Sequence, residues 1–110
     1  MRKNKYNNNG NGSSIKERKR GAELKLLQRA GIISDLQTQV TYELIQAHYE
    51  VVNGKRKCIE RACTYRADFV YYDVENKQLV VEDSKGFRTK DYIIKRKLML
   101  YVHGIKIKET

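Results

Sequence analysis

Apolar and polar positions change their period several times along the chain, and each change marks an element. Over residues 15–30, Ala22, Leu26, Leu27 and Ala30 fall on one face at 100° per residue, so the spacing predicts an amphipathic helix. Ser13 or Ser14 stands at its start as an N-cap, and Glu17 follows Ser14 by three residues in a capping-box pattern. Gly31 is a natural stop. Glu23 falls within the apolar face and Glu17 near its edge, close to Leu24. A carboxylate aimed at a core is costly unless something pairs with it.

Beyond Gly31 the period becomes that of a strand. Gln37, Gln39, Thr41 and Glu43 alternate with Thr38, Val40, Tyr42 and Leu44. A further strand over residues 49–52 leads to an Asn53-Gly54 turn, the strongest short hairpin signal. Residues 55–61 read as basic and irregular. Strand character returns over residues 64–73 and 78–83, with Val74-Glu75-Asn76-Lys77 as the hairpin loop between them. A second helix is predicted over residues 89–102, with Tyr92, Ile94, Leu98, Tyr101 and Val102 making it partly buried. His103-Gly104 ends it, and residues 105–108 form a last short strand. The order is helix, strands, helix, strand: one α/β domain with a small sheet. Residues 1–14, Asn- and Gly-rich with Arg2, Lys3 and Lys5, cannot offset their ordering entropy by burial and are expected to be a disordered basic arm ahead of a domain at 15–110.

Composition narrows the function. The chain has 110 residues, 40% of them hydrophobic, and a formal net charge of +10. That is one small domain with a modest core and a surface suited to a polyanion, nucleic acid first. No apolar run is long enough for a membrane span, and none follows the basic N-terminus as a secretory signal requires. Cys58 and Cys63 are too few for a disulfide scaffold and, with His48 and His103, badly spaced for zinc. They read as reduced thiols of a cytosolic protein. The eight tyrosines lie mostly at strand positions and suit core packing.

The predicted hairpin brings two acids together. If its turn centres between Glu75 and Asn76, Asp73 faces Gln78 and Asp68 faces Asp83. Shifting the centre by one residue pairs Asp68 with Lys85 and Val70 with Asp83. In either register Asp68, Asp83 and Lys85 share one face; an odd loop or a bulge breaks the relation. Two carboxylates about 5 Å apart repel by roughly 3 kcal/mol at an effective dielectric near 20. Their neighbours on that face are mostly apolar, so one acid is expected at a raised pKa unless a divalent cation bridges them. Hard oxygen ligands suit Mg²⁺ or Mn²⁺, with the backbone carbonyl of Ser84 as a further ligand. Lys85 would orient an attacking water and balance developing negative charge. The competing reading of the same spacing is a pair of solvated strand-end aspartates with Lys85 as a surface partner.

In this order, SSIKERKRGAELKLLQRAG, YRADFVYY, VVEDSKGFRTKDYIIKRKLM and GIKIKE resemble the PD-(D/E)XK nuclease superfamily, and more closely its small phage-encoded members akin to Holliday junction resolvases. The resemblance covers most of residues 14–109. It implies a restriction-endonuclease-like fold: a central mixed sheet flanked by helices in the order αβββαβ. It also implies that Asp68 and Asp83 are metal-binding acids, Lys85 the catalytic lysine, and a helix glutamate the outer acid. Ser14-x-x-Glu17 matches the pattern of such helices, whereas Glu23 points into the apolar face; both stay open. Gln39 and, on the second helix, Lys95 are supporting residues. Ala67 stands where the family usually has proline. Glu82 points to the other face, and His48 and His103 are structural or surface residues.

The implied chemistry is divalent-metal-dependent hydrolysis of DNA phosphodiesters, leaving a 5′ phosphate, with branched DNA as substrate and Lys55, Arg56, Lys57 and Arg61 holding phosphates outside the site. A homodimer is expected by analogy, because two symmetric cuts need two active sites, and the host cytoplasm is the expected location for a phage-encoded chain. Two alternatives remain: a non-catalytic basic DNA-binding protein on a nuclease fold, and an RNA-directed nuclease.

Overall fold

The computed structural model describes residues 11–85 and 87–110, with backbone alone for 11–14. In chain order the elements are α1 (Asn11–Arg29), β1 (Ile33–Ile45), β2 (His48–Val52), β3 (Lys55–Glu60), β4 (Cys63–Asp73), β5 (Gln78–Asp83), α2 (Lys90–His103) and β6 (Lys108–Glu109). A four-stranded sheet runs β1-β4-β5-β6, and β2-β3 forms a separate two-stranded ribbon. Only the β5–β6 pair is parallel, so the sheet is mixed. A parallel pair needs a crossover, which α2 supplies. Setting the ribbon aside, the order is αβββαβ in a single small α/β domain with two helices.

Local chemistry explains most boundaries. Gly31 adopts φ +81° and closes α1, with its N–H donated to Gln28 and that of Ile32 to Leu27, a Schellman ending. Thr89 caps α2 by accepting from the Tyr92 N–H, and Gly104 ends it at φ +68°. Asn53 and Gly54 both take positive φ, as a type I′ hairpin requires. Asp73 holds the β4–β5 turn by accepting from the backbone of Glu75 and Asn76.

Two apolar clusters flank the sheet. On the α2 side lie Leu44, Tyr65, Ala67, Val70, Val81, Tyr92, Met99 and Ile107. On the α1 side lie Leu24, Ile33, Phe69 and Tyr71, with Leu36 and Val80 against them. Val70 and Val81 thus face opposite to Phe69, Tyr71 and Val80, as alternation demands. Further along, both strands exchange faces. Leu36 packs on the α1 side, but Val40, Tyr42 and Leu44 pack on the α2 side. Tyr65 and Ala67 pack on the α2 side, but Phe69 packs on the α1 side. Thr38 pairs with Phe69 and Val40 with Ala67, so Gln39 lies opposite Asp68 at the point of reversal. Gln39 takes φ +55°, a left-handed conformation that costs a non-glycine residue about 1–2 kcal/mol.

Several expectations are corrected. α1 begins at Asn11, ahead of both serines, so Ser13 and Ser14 are not its N-cap and Glu17 closes no capping box. Residues 11–14 of the expected arm are helical; residues 1–10, with Arg2, Lys3 and Lys5, lie outside the described residues. The buried stripe of α1 centres on Leu24, while Ala22, Leu26, Ala30 and Glu23 are exposed. Residues 55–60 are a regular strand. On α2, Tyr92 is buried and Leu98 partly so, as expected, but Ile94, Tyr101 and Val102 are exposed and Met99 completes the buried face. Of the tyrosines, Tyr65, Tyr71 and Tyr92 are core residues, and Tyr49, Tyr72 and Tyr101 are exposed.

Candidate active site

The β4–β5 ladder pairs Phe69 with Glu82 and Asp73 with Gln78. One step further, Asp68 stands opposite Asp83, the first of the two registers that the hairpin allows. Asp83 is 1% exposed, at the end of β5. Burial pushes its carboxyl up to about 6, and neighbouring Asp68 adds to the rise; the Tyr65 hydroxyl and the Lys85 ammonium oppose it. Asp83 Oδ2 accepts from the Tyr65 hydroxyl. Its Oδ1 is buried and, among the described residues, accepts no hydrogen bond. Lys85 Nζ stands 3.3 Å from it, off hydrogen-bond geometry. Asp68 accepts from the Ser84 N–H at 2.9 Å. Lys85 Nζ also lies 4.5 Å from the centre of the Tyr92 ring, a cation–π contact that fixes its reach.

The segment carrying Asp83, Ser84 and Lys85 is held by Thr110, which sequence reasoning missed. Thr110 N–H donates to the Asp83 carbonyl at 3.0 Å, and its carbonyl accepts from Lys85 N–H at 3.1 Å. Its Oγ1 donates to Glu82 Oε2 at 3.2 Å, which leaves Ser84 Oγ to donate to Thr110 Oγ1 at 3.1 Å. Ser84 therefore points away from the carboxylates, as alternation predicts. Gly86 of the same motif lies outside the described residues.

α1 reaches this site through polar side chains. Lys16 Nζ donates to the Lys85 carbonyl at 3.2 Å. Glu17 accepts from Gln39 Nε2 at 2.8 Å. One turn on, Arg20 donates to both oxygens of Glu82, including Nη2 to Oε1 at 3.0 Å. Glu82 is fully buried on the α1 side, where Tyr71 also donates to it. Burial pushes its carboxyl up, but the bonds from Arg20 and Tyr71 outweigh that, and the net shift is downward. Glu82 is therefore a structural anion on the opposite face from Asp83.

The two helix acids are placed differently. Glu17 lies seven residues before Leu24 on the buried stripe and touches Gln39, the partner of Asp68 across the sheet. Glu23 is 64% exposed at its side chain and bound to Arg20. Glu17 nevertheless does not join the aspartates directly, and among the described residues no three His, Cys, Asp or Glu side chains converge. The expected set of Glu17, Asp68 and Asp83 thus becomes an aspartate pair, with Glu17 apart from it and bonded to Gln39, which stands across the sheet from Asp68.

Other residues take separate places. Lys95 lines a cavity with Lys85 on the α2 side. Lys55, Arg56 and Lys57 lie on the fully exposed ribbon, and exposed Arg61 follows it. Arg56 stacks 4.0 Å over Tyr49 there. His48 pairs with Glu50 on the ribbon, and His103 bonds the Glu43 carbonyl. No helix among the described residues is long and apolar enough to cross a membrane.

The sequence profile for "Protein of unknown function (DUF1064)" matches residues 2–108. The chain belongs to the DUF1064 family. No curated protein and no solved structure matches it. The matched stretch of this DUF1064 chain holds every residue of the site except Thr110.

The Tyr65 hydroxyl gives the DUF1064 chain a tunable contact. It opposes the rise of the Asp83 carboxyl. Tyr65→Phe should move Asp83 further upward, so that its carboxyl titrates at a higher pH than in the wild type. Titration of both proteins between about pH 5 and 8 reads the displacement; coincident pH profiles would show that the hydroxyl does not tune the acid.

Proposed function

We propose that the protein is a divalent-metal-dependent endodeoxyribonuclease. The observation that carries this reading is the Asp83 carboxylate, buried and with one oxygen lacking a hydrogen bond, set against Asp68 and beside Lys85. Burying like charges with an unsatisfied oxygen costs stability and is kept where function needs it.

The donor set fits Mg²⁺ or Mn²⁺. Asp68 and Asp83 supply hard oxygens, the Ser84 carbonyl is a candidate third, and both metals accept waters in the remaining positions. A bound divalent cation would lower the pKa of water and offset charge on the phosphate. The protein groups do the rest. Asp83 and Asp68 hold their oxygens in place through Tyr65 and the Ser84 N–H. The Lys85 ammonium, aimed by the Tyr92 ring, positions the attacking water in line with the departing 3′ oxygen, which leaves a 5′ phosphate.

The +10 charge and the exposed ribbon support DNA as the polyanion. Resemblance to resolvases supports branched DNA, a homodimer with two active sites, and action in the cytoplasm. The test is incubation with Mg²⁺ of a four-way junction, a linear duplex, a single strand and an RNA duplex. The junction should be cut most readily by wild type and not by Asp83→Ala. Equal cutting by the two proteins, or none by wild type, rejects the enzyme and leaves a DNA-coating protein as the reading.

A further inference from the structure

A cavity of about 220 Å³ opens beside the aspartate pair, between Arg66 of β4, Lys85 and the first two turns of α2. Thr89, Asp91, Tyr92 and Lys95 complete its wall, and the Tyr65 ring joins it to Asp83. Lys85 and Lys95 share this wall with Asp91, and Arg66 stands at its β4 edge. Lys85 is matched by Asp83 at 3.3 Å. Among the described residues, Arg66 and Lys95 have no ion-pair partner, and Lys95 is half-buried. Like charges facing a shared cavity repel, and partial burial weakens the screening that relieves exposed lysines. The Thr89 cap also turns the amino end of the 14-residue α2 towards this wall, adding positive potential that Asp91 only partly offsets.

From this geometry we infer that the cavity seats a DNA backbone phosphate adjoining the scissile one, gripped by Arg66 and Lys95. An anion there would offset Arg66 and Lys95, the two cations that no acid pairs among the described residues. The space admits one phosphodiester group and not a base pair, so the contact fixes the register of the strand without reading its sequence. Arg66 is new to the site: it precedes Asp68 by two residues on β4 and offers a planar fork to phosphate oxygens. The identity of the neighbouring scissile phosphate rests on the nuclease reading; the capture of a nucleic-acid phosphate does not.

The test is fluorescence anisotropy of a labelled DNA duplex with the full chain in EDTA, over a series of KCl concentrations. Each phosphate neutralised contributes about 0.9 to the slope of log K against log salt. Arg66→Gln with Lys95→Gln should make the slope shallower by about one, and Arg66→Gln alone should move it in the same direction. Arg66 is exposed, so the single variant keeps the test open if the double fails to fold. A control, Lys77→Gln with Lys106→Gln, removes equal charge from the opposite end of the β4–β5 ladder, and should change the slope less. A slope for the double variant equal to that of wild type or of the control overturns the phosphate seat. Cleavage in Mg²⁺ is read in parallel. Wild type that binds with the expected slopes but cuts nothing supports the seat and defeats the nuclease reading; wild type that cuts, with no change of slope on losing Arg66, defeats the seat alone.

Discussion

Asp83→Asn should abolish DNA cleavage and, in metal-free buffer, make the protein more stable than wild type above pH 6. The first effect follows from removing one of two anionic oxygen donors. Losing about 4 kcal/mol of transition-state stabilisation slows the reaction roughly 10³-fold. The second follows from linkage. The Asp83 carboxyl is raised from 3.8 to about 6 in the folded chain. Its contribution is therefore fully present below the unfolded value and is lost as pH rises through the folded one. A rise of that size corresponds to about 3 kcal/mol. Relative to Asp83→Asn, metal-free wild type should lose that amount between about pH 4 and pH 7. Urea melts of both proteins across this range measure the difference, because titrating groups remote from the aspartate pair cancel. Mn²⁺ at pH 7 should then stabilise wild type and leave Asp83→Asn unchanged. Parallel stability curves would mean that the buried carboxylate carries no such penalty.

Arg20→Ala should be the most destabilising single substitution on α1. Glu82 is fully buried, and the Arg20 side chain, 21% exposed, supplies its compensating charge. Removing one partner of a buried pair leaves an uncompensated ion and costs about 3–5 kcal/mol. For a domain of this size that lowers Tm by more than about 10 °C. The sign of the pH dependence is fixed by Glu82, whose carboxyl is held below its usual value. The advantage of wild type is present above about pH 4.5 and shrinks as pH falls through the depressed folded value. Arg20→Ala paired with Glu82→Gln should recover part of the loss, since no unpaired buried charge remains. Thermal melts of the single and double variants at pH 7 and pH 3 separate this from a general packing defect, which would be independent of pH.

How much of this was legible in the sequence depends on what kind of surface each segment covers. The β4–β5 hairpin was readable to within one step of register. Strand period and an even loop put Asp68, Asp83 and Lys85 on one face, and the ladder that forms is the one of the two that sets Asp68 opposite Asp83. The Gly104 end of α2 and the Asn53-Gly54 turn were readable because backbone conformation there selects particular residues. β3 was not, since neither face of the ribbon is covered and Lys55-Arg56-Lys57-Cys58-Ile59-Glu60 has no reason to alternate.

The face of α1 was misread for a related cause. An apolar stripe was sought, but the stripe that meets the sheet is polar on either side of Leu24: Glu17 bonds Gln39, Arg20 bonds Glu82, and Gln28 accepts from the Leu36 N–H. A wheel of hydrophobicity cannot find partners that lie on other strands. Nor could the reversal at Gln39 and Asp68 be read, because it needs a left-handed glutamine that no glycine or asparagine announces. Thr110 was hidden likewise, since its side chain acts through Glu82 and Ser84, which are distant in sequence.

A crystal of the full chain soaked in Mn²⁺ tests the central claim most directly. Anomalous scattering should place an ion within about 2.3 Å of carboxylate oxygens from both Asp68 and Asp83, with Lys85 Nζ outside the coordination sphere. An anomalous map with no peak between those two side chains, under conditions where Mn²⁺ is in large excess, would contradict the assignment of this pair as a metal centre.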